Sequence, residues 1–394
     1  MEKRCTQGNA RGKFLKIILI FMCALLWTRG LSAKETARLV FIGDIMTHAE
    51  QLEAAKRLDS WDFTPQFRRI KPLLDDAFVV GNFETVMAGE KARYTGYPTF
   101  NTPDALAAAL KDAGVDAVTL ATNHILDRHE AGAERTMRVL DEAGILYVGL
   151  RNGDAGYEPL VTEYAGFKLA FLNYSYGSNM PASKVLSPDI RLNVISSDAV
   201  SKGLRAARAV LPDILIACFH WGNEYQFNPT ASSKDTAELC FENGADILIG
   251  THPHVFQPVE IFKTDDRTKL AAWSLGNFVS NQRTLPRERS AILAVDIEKD
   301  GASTDIKRVS VAPIWVSSRR NGGKRLFEIV YAGTGGKFNH YGLPASELKK
   351  ARAAGKKVLD FLGAQDEPDE DGFYTLWDAA SPDILPKGTL KSPK

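Results

Sequence analysis

Leu39-Val40-Phe41-Ile42-Gly43-Asp44-Ile45-Met46-Thr47-His48 reads as a wholly apolar strand that stops at a glycine and at once presents a carboxylate. An uninterrupted β-branched and aromatic run suits a strand covered on both faces, as in a parallel sheet with helices packed on it. The same grammar returns along the chain. Phe78–Val80 runs into Gly81-Asn82-Phe83-Glu84, and Ala117–Leu120 is followed by Asn123-His124-Ile125-Leu126-Asp127. Ile214–Phe219 runs into His220-Trp221-Gly222-Asn223-Glu224-Tyr225, and Ile247–Ile249 into Gly250-Thr251-His252-Pro253-His254. Side chains at strand ends are rigidly held, yet they open onto the crevice where an α/β sheet binds its ligands.

Between these strands, Pro103–Ala113, Ala131–Ala143, Ser197–Val210 and Ser232–Glu242 carry helical periodicity, and Leu146–Val148 is a further strand. Strand, helix, strand in sequence predicts an α/β fold with parallel pairing and right-handed crossovers. Leu160–Asn173 reads as a hairpin turning at Ala165-Gly166. From Val259 the helices stop. Val259–Phe262, Leu270–Ser274, Ala291–Ile297 and Ile306–Val316 predict antiparallel additions to the sheets. Ser346–Leu362 is a basic amphipathic helix, and Asp366–Asp371 is an acidic run leading into a Pro- and Lys-rich tail expected to be solvated. The organisation read from this is residues 1–33 as a signal peptide or signal anchor, 34–330 as the main domain, and 331–394 as an extension with one helix and a flexible tail.

The first segment carries Lys3, Arg4, Arg11, Lys13 and Lys16 ahead of an apolar run from Ile17 to Trp27, then Leu31-Ser32-Ala33 as a cleavage candidate. A run of about 11 residues is short for a bilayer span, which needs about 20. The expectation is therefore an exported protein, periplasmic or extracellular, with membrane anchoring through the uncleaved segment as the alternative. Residues 1–33 hold six of the 49 Lys and Arg and one of the 48 Asp and Glu, so the remainder carries a net charge of about −4. No global positive field gathers polyanions, which argues against nucleic acid and requires an anionic polymer or peptide-like substrate to be held locally. Cys218 and Cys240 fall in apolar strand-like and helical runs and read as two buried thiols.

Five of the seven histidines, at 48, 124, 220, 252 and 254, lie in the strand-end segments, while His129 and His340 do not. Asp44 at a strand end suits a hard divalent cation, or else caps a helix. Asn82 and Glu84 point to one side if the backbone stays extended there, with turn chemistry as the plain alternative. Asn123 offers an amide oxygen, and His124 can donate a proton to a leaving group while Asp127 fixes its tautomer. His252 and His254, one residue apart on an extended backbone stiffened by Pro253, would project to one side and address one metal or two neighbours. Asp44, Glu84, Asn123, His220, His252 and His254 are thus the candidate metal ligands, and His124 and Asp127 the candidate catalytic pair. His48, Asn82, Glu224 and Asn277, the last within Ser274-Leu275-Gly276-Asn277-Phe278, are candidates for substrate contact or support.

These segments, with His252-Pro253-His254-Val255-Phe256-Gln257-Pro258, occur in an order that resembles the CapA family of poly-γ-glutamate capsule biosynthesis proteins. That family's domain looks like a calcineurin-type metallophosphoesterase, and the resemblance runs from about Leu39 to Val316. It implies a sandwich of two mixed β-sheets flanked by helices, and a centre for one or two divalent ions among Mn, Zn, Fe and Mg. Asp44, Asn123, His220, His252 and His254 match phosphoesterase ligand positions, and His124 the proton-donating histidine. Met46 stands where a phosphoesterase has a metal-binding histidine, and Asn82 where it has the bridging aspartate. A thioether is a poor ligand for a hard cation and a neutral amide a poor bridge, so Glu84 and His48 are the candidate replacements. The resemblance implies a metal-dependent hydrolase-like protein of capsule or cell-envelope polymer biosynthesis. The alternatives are a non-catalytic accessory to membrane-bound synthase or exporter subunits, and a phosphoesterase acting on a small phosphorylated substrate.

Overall fold

The computed structural model describes residues 34–381, except 153–156, 188–189, 265–266, 302, 336–337 and 339. The export segment expected over residues 1–33 and the end of the tail lie outside the described residues. Two mixed sheets face one another. In the larger, the central strand Glu35–Ile45 pairs in parallel with Phe78–Phe83, which is followed outward by parallel Ala117–Thr119 and Leu146–Val148. On its other side it pairs antiparallel with Arg289–Asp300, then Ser303–Asn321 and Lys324–Tyr331. The smaller sheet has a parallel centre of Phe167–Ser175, Ile214–His220, Ile247–Thr251 and Thr268–Ala272, edged by antiparallel Leu160–Tyr164 and Val259–Lys263.

Alternation along the smaller sheet explains the layering. Leu169, Phe171, Ile214, Ile216, Ile247 and Ile249 face the larger sheet and join the main core. Their neighbours Ala170, Leu172, Leu215, Ala217, Phe219 and Leu248 point the other way. There they are covered by Leu204 and Ala207 of the Ser197–Ala209 helix and by Ala237 and Cys240 of the Ala231–Glu242 helix. Period-2 side-chain direction thus splits one apolar strand between two cores. The helices begin and end where local chemistry allows. Ser196 and Thr230 accept backbone N–H bonds at their N-caps, and Gly144 in the left-handed region closes His129–Ala143. Cys218 and Cys240 are buried free thiols.

The C-terminal segment holds two strands that the sequence pattern did not reveal. Lys324–Tyr331 continues from Ser303–Asn321 through Gly322-Gly323, and Tyr374–Asp378 returns beside Ser303–Asn321 directly after the acidic run. The basic helix, observed over Ala345–Leu362, places Ala351 and Ala354 against Trp315 and Val330 of the larger sheet. Among the described residues no helix is long and apolar enough to cross a membrane.

Candidate metal centre

Gly43 creates the first corner of the site. A Cβ there would lie 1.9 Å from the Gly276 carbonyl oxygen, so only glycine admits the return strand Asn277–Val279 alongside the first strand. The pairing register slips between Ile42 and Asp44, and the Asp44 backbone N–H donates to the Gly276 carbonyl at 2.9 Å. The bulge skips Gly43, and Asp44, still paired with Asn82 and Asn277, reaches His254 beyond the end of the opposite sheet's strand. Gly250 does the same work in the smaller sheet, where a Cβ would meet the Trp273 carbonyl oxygen at 1.9 Å.

The side chains then converge. Asp44 Oδ2 lies 2.9 Å from His254 Nδ1, and its Oδ1 accepts from Asn82 Nδ2 at 2.8 Å. His220 Nε2 is 2.9 Å from Asn123 Oδ1, and its Nδ1 is 3.2 Å from Thr251 Oγ1. Glu84 Oε1 sits 3.7 Å from both His220 Nε2 and His254 Nε2. Three overlapping clusters bring candidate ligand atoms within 4.8 Å of one another: Glu84 with His220 and His252, Asp44 with Glu84 and His254, and Glu224 with His252 and His254. Glu224 is the exposed member of this set.

Both oxygens of Glu84 are fully buried and without a hydrogen-bond partner, and so is His252 Nδ1. A buried carboxylate with nothing to accept from is costly unless a cation completes it, so the donor set fits a divalent ion. Burial, reinforced by the charge of Asp44, pushes the Glu84 carboxyl well above the usual carboxylate range. Burial, and then the nearby His252 and His254, hold His220 well below the usual imidazole value. His252 is pushed down to about 4, again chiefly by burial. These two imidazoles are therefore neutral near pH 7, the form in which they can ligate a metal.

The His252-Pro253-His254 backbone departs from expectation. It is not extended: His252 has φ of 95° and His254 of 58°, both in the region that disfavours a Cβ. The rings still reach one site, with centroids 5.9 Å apart, because successive bends swing them together rather than because a strand's alternation does. Holding non-glycine residues there costs about 1–3 kcal/mol each.

His124 and Asp127 form a pair at 2.7 Å through Nδ1 and Oδ2. Asp127 Oδ2 also accepts from the Phe100 backbone N–H at 2.7 Å, and the Phe100 ring meets the imidazole edge-on with centroids 4.6 Å apart. The remaining candidates are placed differently. His48 joins none of the described clusters; its Nδ1 accepts from the Asn281 backbone N–H at 3.2 Å, and burial lowers its pKa to about 4. Asn82 is spent inside the protein, donating to Asp44 and accepting from Thr119 Oγ1 at 2.8 Å. Asn277 is fully buried and braces the following loop through Gln282 Oε1 and the Arg287 carbonyl, both at 3.1 Å. Met46 is buried and contributes its carbonyl to Gln51.

Sequence reasoning missed Tyr176 and Asn179, which follow the Phe167–Ser175 strand. The half-exposed Tyr176 ring lies 4.7 Å from that of His252, and Asn179 Nδ2 is 3.3 Å from His124 Nδ1. That strand ends at the same edge as the histidine strands, which is the signal that was available.

Residues 38–282 match the model of the bacterial capsule synthesis protein PGA_cap family. The chain is 27% identical over 311 residues to the capsule biosynthesis protein CapA of Bacillus anthracis, covering 73% of this chain and 72% of the relative. It is 25% identical over 325 residues to the PGA biosynthesis protein CapA of Bacillus subtilis strain 168, covering 76% and 79%. Among solved structures it is similar to the calcineurin-like phosphoesterase YfkN from Bacillus subtilis, with a TM-score of 0.44 and 14% identity over 83% of this chain and 99% of that one. It is also similar to a 5'-nucleotidase from Candida albicans, with a TM-score of 0.41 and 12% identity over 83% and 59%. With the family match running from within the Asp44 strand to just beyond the Asn277 strand, the chain belongs to the bacterial capsule synthesis protein PGA_cap family.

Proposed function

We propose that this protein is an exported, metal-dependent hydrolase-like protein that acts on, or together with, an acidic cell-envelope polymer of the poly-γ-glutamate type. The observation that carries the reading is Glu84: a fully buried carboxylate with no hydrogen-bond partner, 3.7 Å from two imidazoles. Asp44, Glu84, Asn123, His220, His252 and His254 would hold one or two ions of Mn, Zn, Fe or Mg. A divalent cation, when bound, supplies Lewis acidity. Asp127 fixes Nδ1 of His124, leaving Nε2 to deliver a proton to a leaving group, and Phe100 packs edge-on against the ring. The relative named for PGA biosynthesis supports the polymer, and the basic and apolar run before Ala33 supports export.

The test is elemental analysis of residues 34–394 purified without chelator, beside a His252→Ala/His254→Ala variant, followed by hydrolysis assays on glutamyl oligomers. The expected result is one or two metal equivalents in the parent, their loss in the variant, and turnover about 10²–10⁴-fold lower in His124→Ala. Absence of metal from both proteins overturns the reading, and full turnover in His124→Ala overturns the proton-donor role.

One observation favours a second reading, a non-catalytic accessory to a membrane-bound polymer synthase or exporter. Asn82 has both ends of its amide engaged by Asp44 and Thr119, so it contributes nothing to bridging two cations. Under that reading, polymer production survives the histidine substitutions while metal content falls.

A further inference from the structure

The segment that follows Asn277 also lines a second hollow, none of whose lining residues is a candidate metal ligand. Between that segment and the C-terminal helix Ala345–Leu362 lies this cavity of about 330 Å³, lined by Arg283, Glu288, Arg289, Trp315, Lys350 and Lys357. Four cations and one carboxylate around one hollow contrast with a chain that is mildly acidic beyond residue 33. Apart from Lys350, which pairs with Glu347, the cations are not consumed by close ion pairs. Arg283 donates to the Val316 carbonyl at 2.7 Å and lies 5.9 Å from the centre of the Trp315 ring. Arg289 stands 3.7 Å from Glu288 Oε1, and Lys350 reaches Glu347 at 2.8 Å while its side chain stays 63% exposed. Lys357 has no ion pair among the described residues.

Glu288 supplies an independent sign of a ligand. It is 6% exposed, and its Oε2 has no hydrogen-bond partner although it lines the cavity. A simple anion site would gain nothing from that oxygen, because it repels anions. A ligand that carries carboxylates together with N–H donors satisfies both halves of the lining: carboxylates on Lys350, Lys357 and Arg289, and an N–H on Glu288 Oε2. Trp315 offers an apolar wall for the methylene carbons between them.

We propose that this cavity is a binding site for an acidic peptide-like chain, distinct from the candidate metal centre and independent of metal. The segment that lines it also carries Arg287, whose guanidinium lies 3.8 Å over the Tyr225 ring, and that ring is 6.1 Å from the ring of His254. One short stretch of chain therefore joins the mouth of the metal centre to the cavity, and an extended polyanion held at one end is presented to the other.

Fluorescence anisotropy with labelled hexaglutamate, on the full chain in chelator at physiological ionic strength, tests this. Lys350→Ala/Lys357→Ala, changes at two exposed side chains that line the cavity, should weaken binding about tenfold or more. Because the assay is run in chelator, binding that persists there does not depend on the metal centre, so that failure of the metal reading and failure of this one are told apart. A polyacrylate oligomer of equal charge, which has no N–H, should compete more weakly than unlabelled hexaglutamate, and Glu288→Gln should narrow that difference. Parent affinity in the double lysine variant overturns the proposal. Competition by inorganic phosphate or by polyacrylate as strong as that by hexaglutamate reduces the cavity to a general anion site and overturns the peptide-like ligand.

Discussion

Glu84 concentrates the chemistry of the site in one side chain. Its oxygens have no donor within the protein, so the folded chain bears the cost of a buried carboxylate unless a cation is present. Substitution by glutamine should therefore act with opposite signs in two conditions. In chelator, Glu84→Gln should stabilise the protein by about 2 kcal/mol, read as a higher midpoint of thermal unfolding. With Mn or Zn added, the parent should gain stability by mass action and the variant should gain little. A variant destabilised in both conditions would mean that Glu84 is a structural group. Asn82 invites the converse change. Asn82→Asp places a third carboxylate beside Asp44 and Glu84, and should cost about 3 kcal/mol in chelator while raising the metal content per chain.

The elements deliver these residues through two glycine corners. At Gly43 even a methyl group would overlap the Gly276 carbonyl, so Gly43→Ala should separate the first strand from Asn277–Val279. A loss of about 3 kcal/mol by denaturant titration, with reduced metal affinity, is the expected outcome. Full affinity in Gly43→Ala would show that the corner does not set the site. Much of this was legible in the sequence. Apolar runs such as Leu39–Ile42 and Ile214–Phe219 declared the strands, and the polar residues after them declared the edge where a ligand sits. The conformation of His252-Pro253-His254 was not legible, because periodicity reports where side chains point along regular backbone and is silent on left-handed bends. Asn277 and His48 carry the right residue types, but their hydrogen bonds to Gln282 and from Asn281 depend on a loop whose path no spacing rule predicts. Tyr374–Asp378 was hidden by its acidic neighbours, although Trp377 is fully buried there.

The whole molecule responds to acid through the same buried groups. His48 and His252 stand near 4, and His220 is also held below the usual imidazole value of about 6.5. As pH falls below about 6.5 the unfolded chain takes up protons that the folded chain refuses, so stability declines toward pH 4. Glu84 is shifted upward and has the opposite sign, regaining stability on acidification, but it stands against three imidazoles. Thermal unfolding in chelator should therefore show a falling midpoint between about pH 6.5 and pH 4, and His48→Gln should flatten the slope. An unchanged slope in that variant would remove His48 from the account.

The larger sheet also sets the order of events when the protein is made. Its central strand Glu35–Ile45, which carries Asp44, stays half-unpaired until Arg289–Asp300 has been added, and residues 308–311 of Ser303–Asn321 wait for Tyr374–Asp378 to return. His252 and His254 likewise follow most of the chain. A nascent polypeptide thus holds the candidate ligands only as scattered side chains, with no cage among them. A cation held there would be taken up only once His254 has been added and the two sheets have closed, from whatever ions then surround the chain.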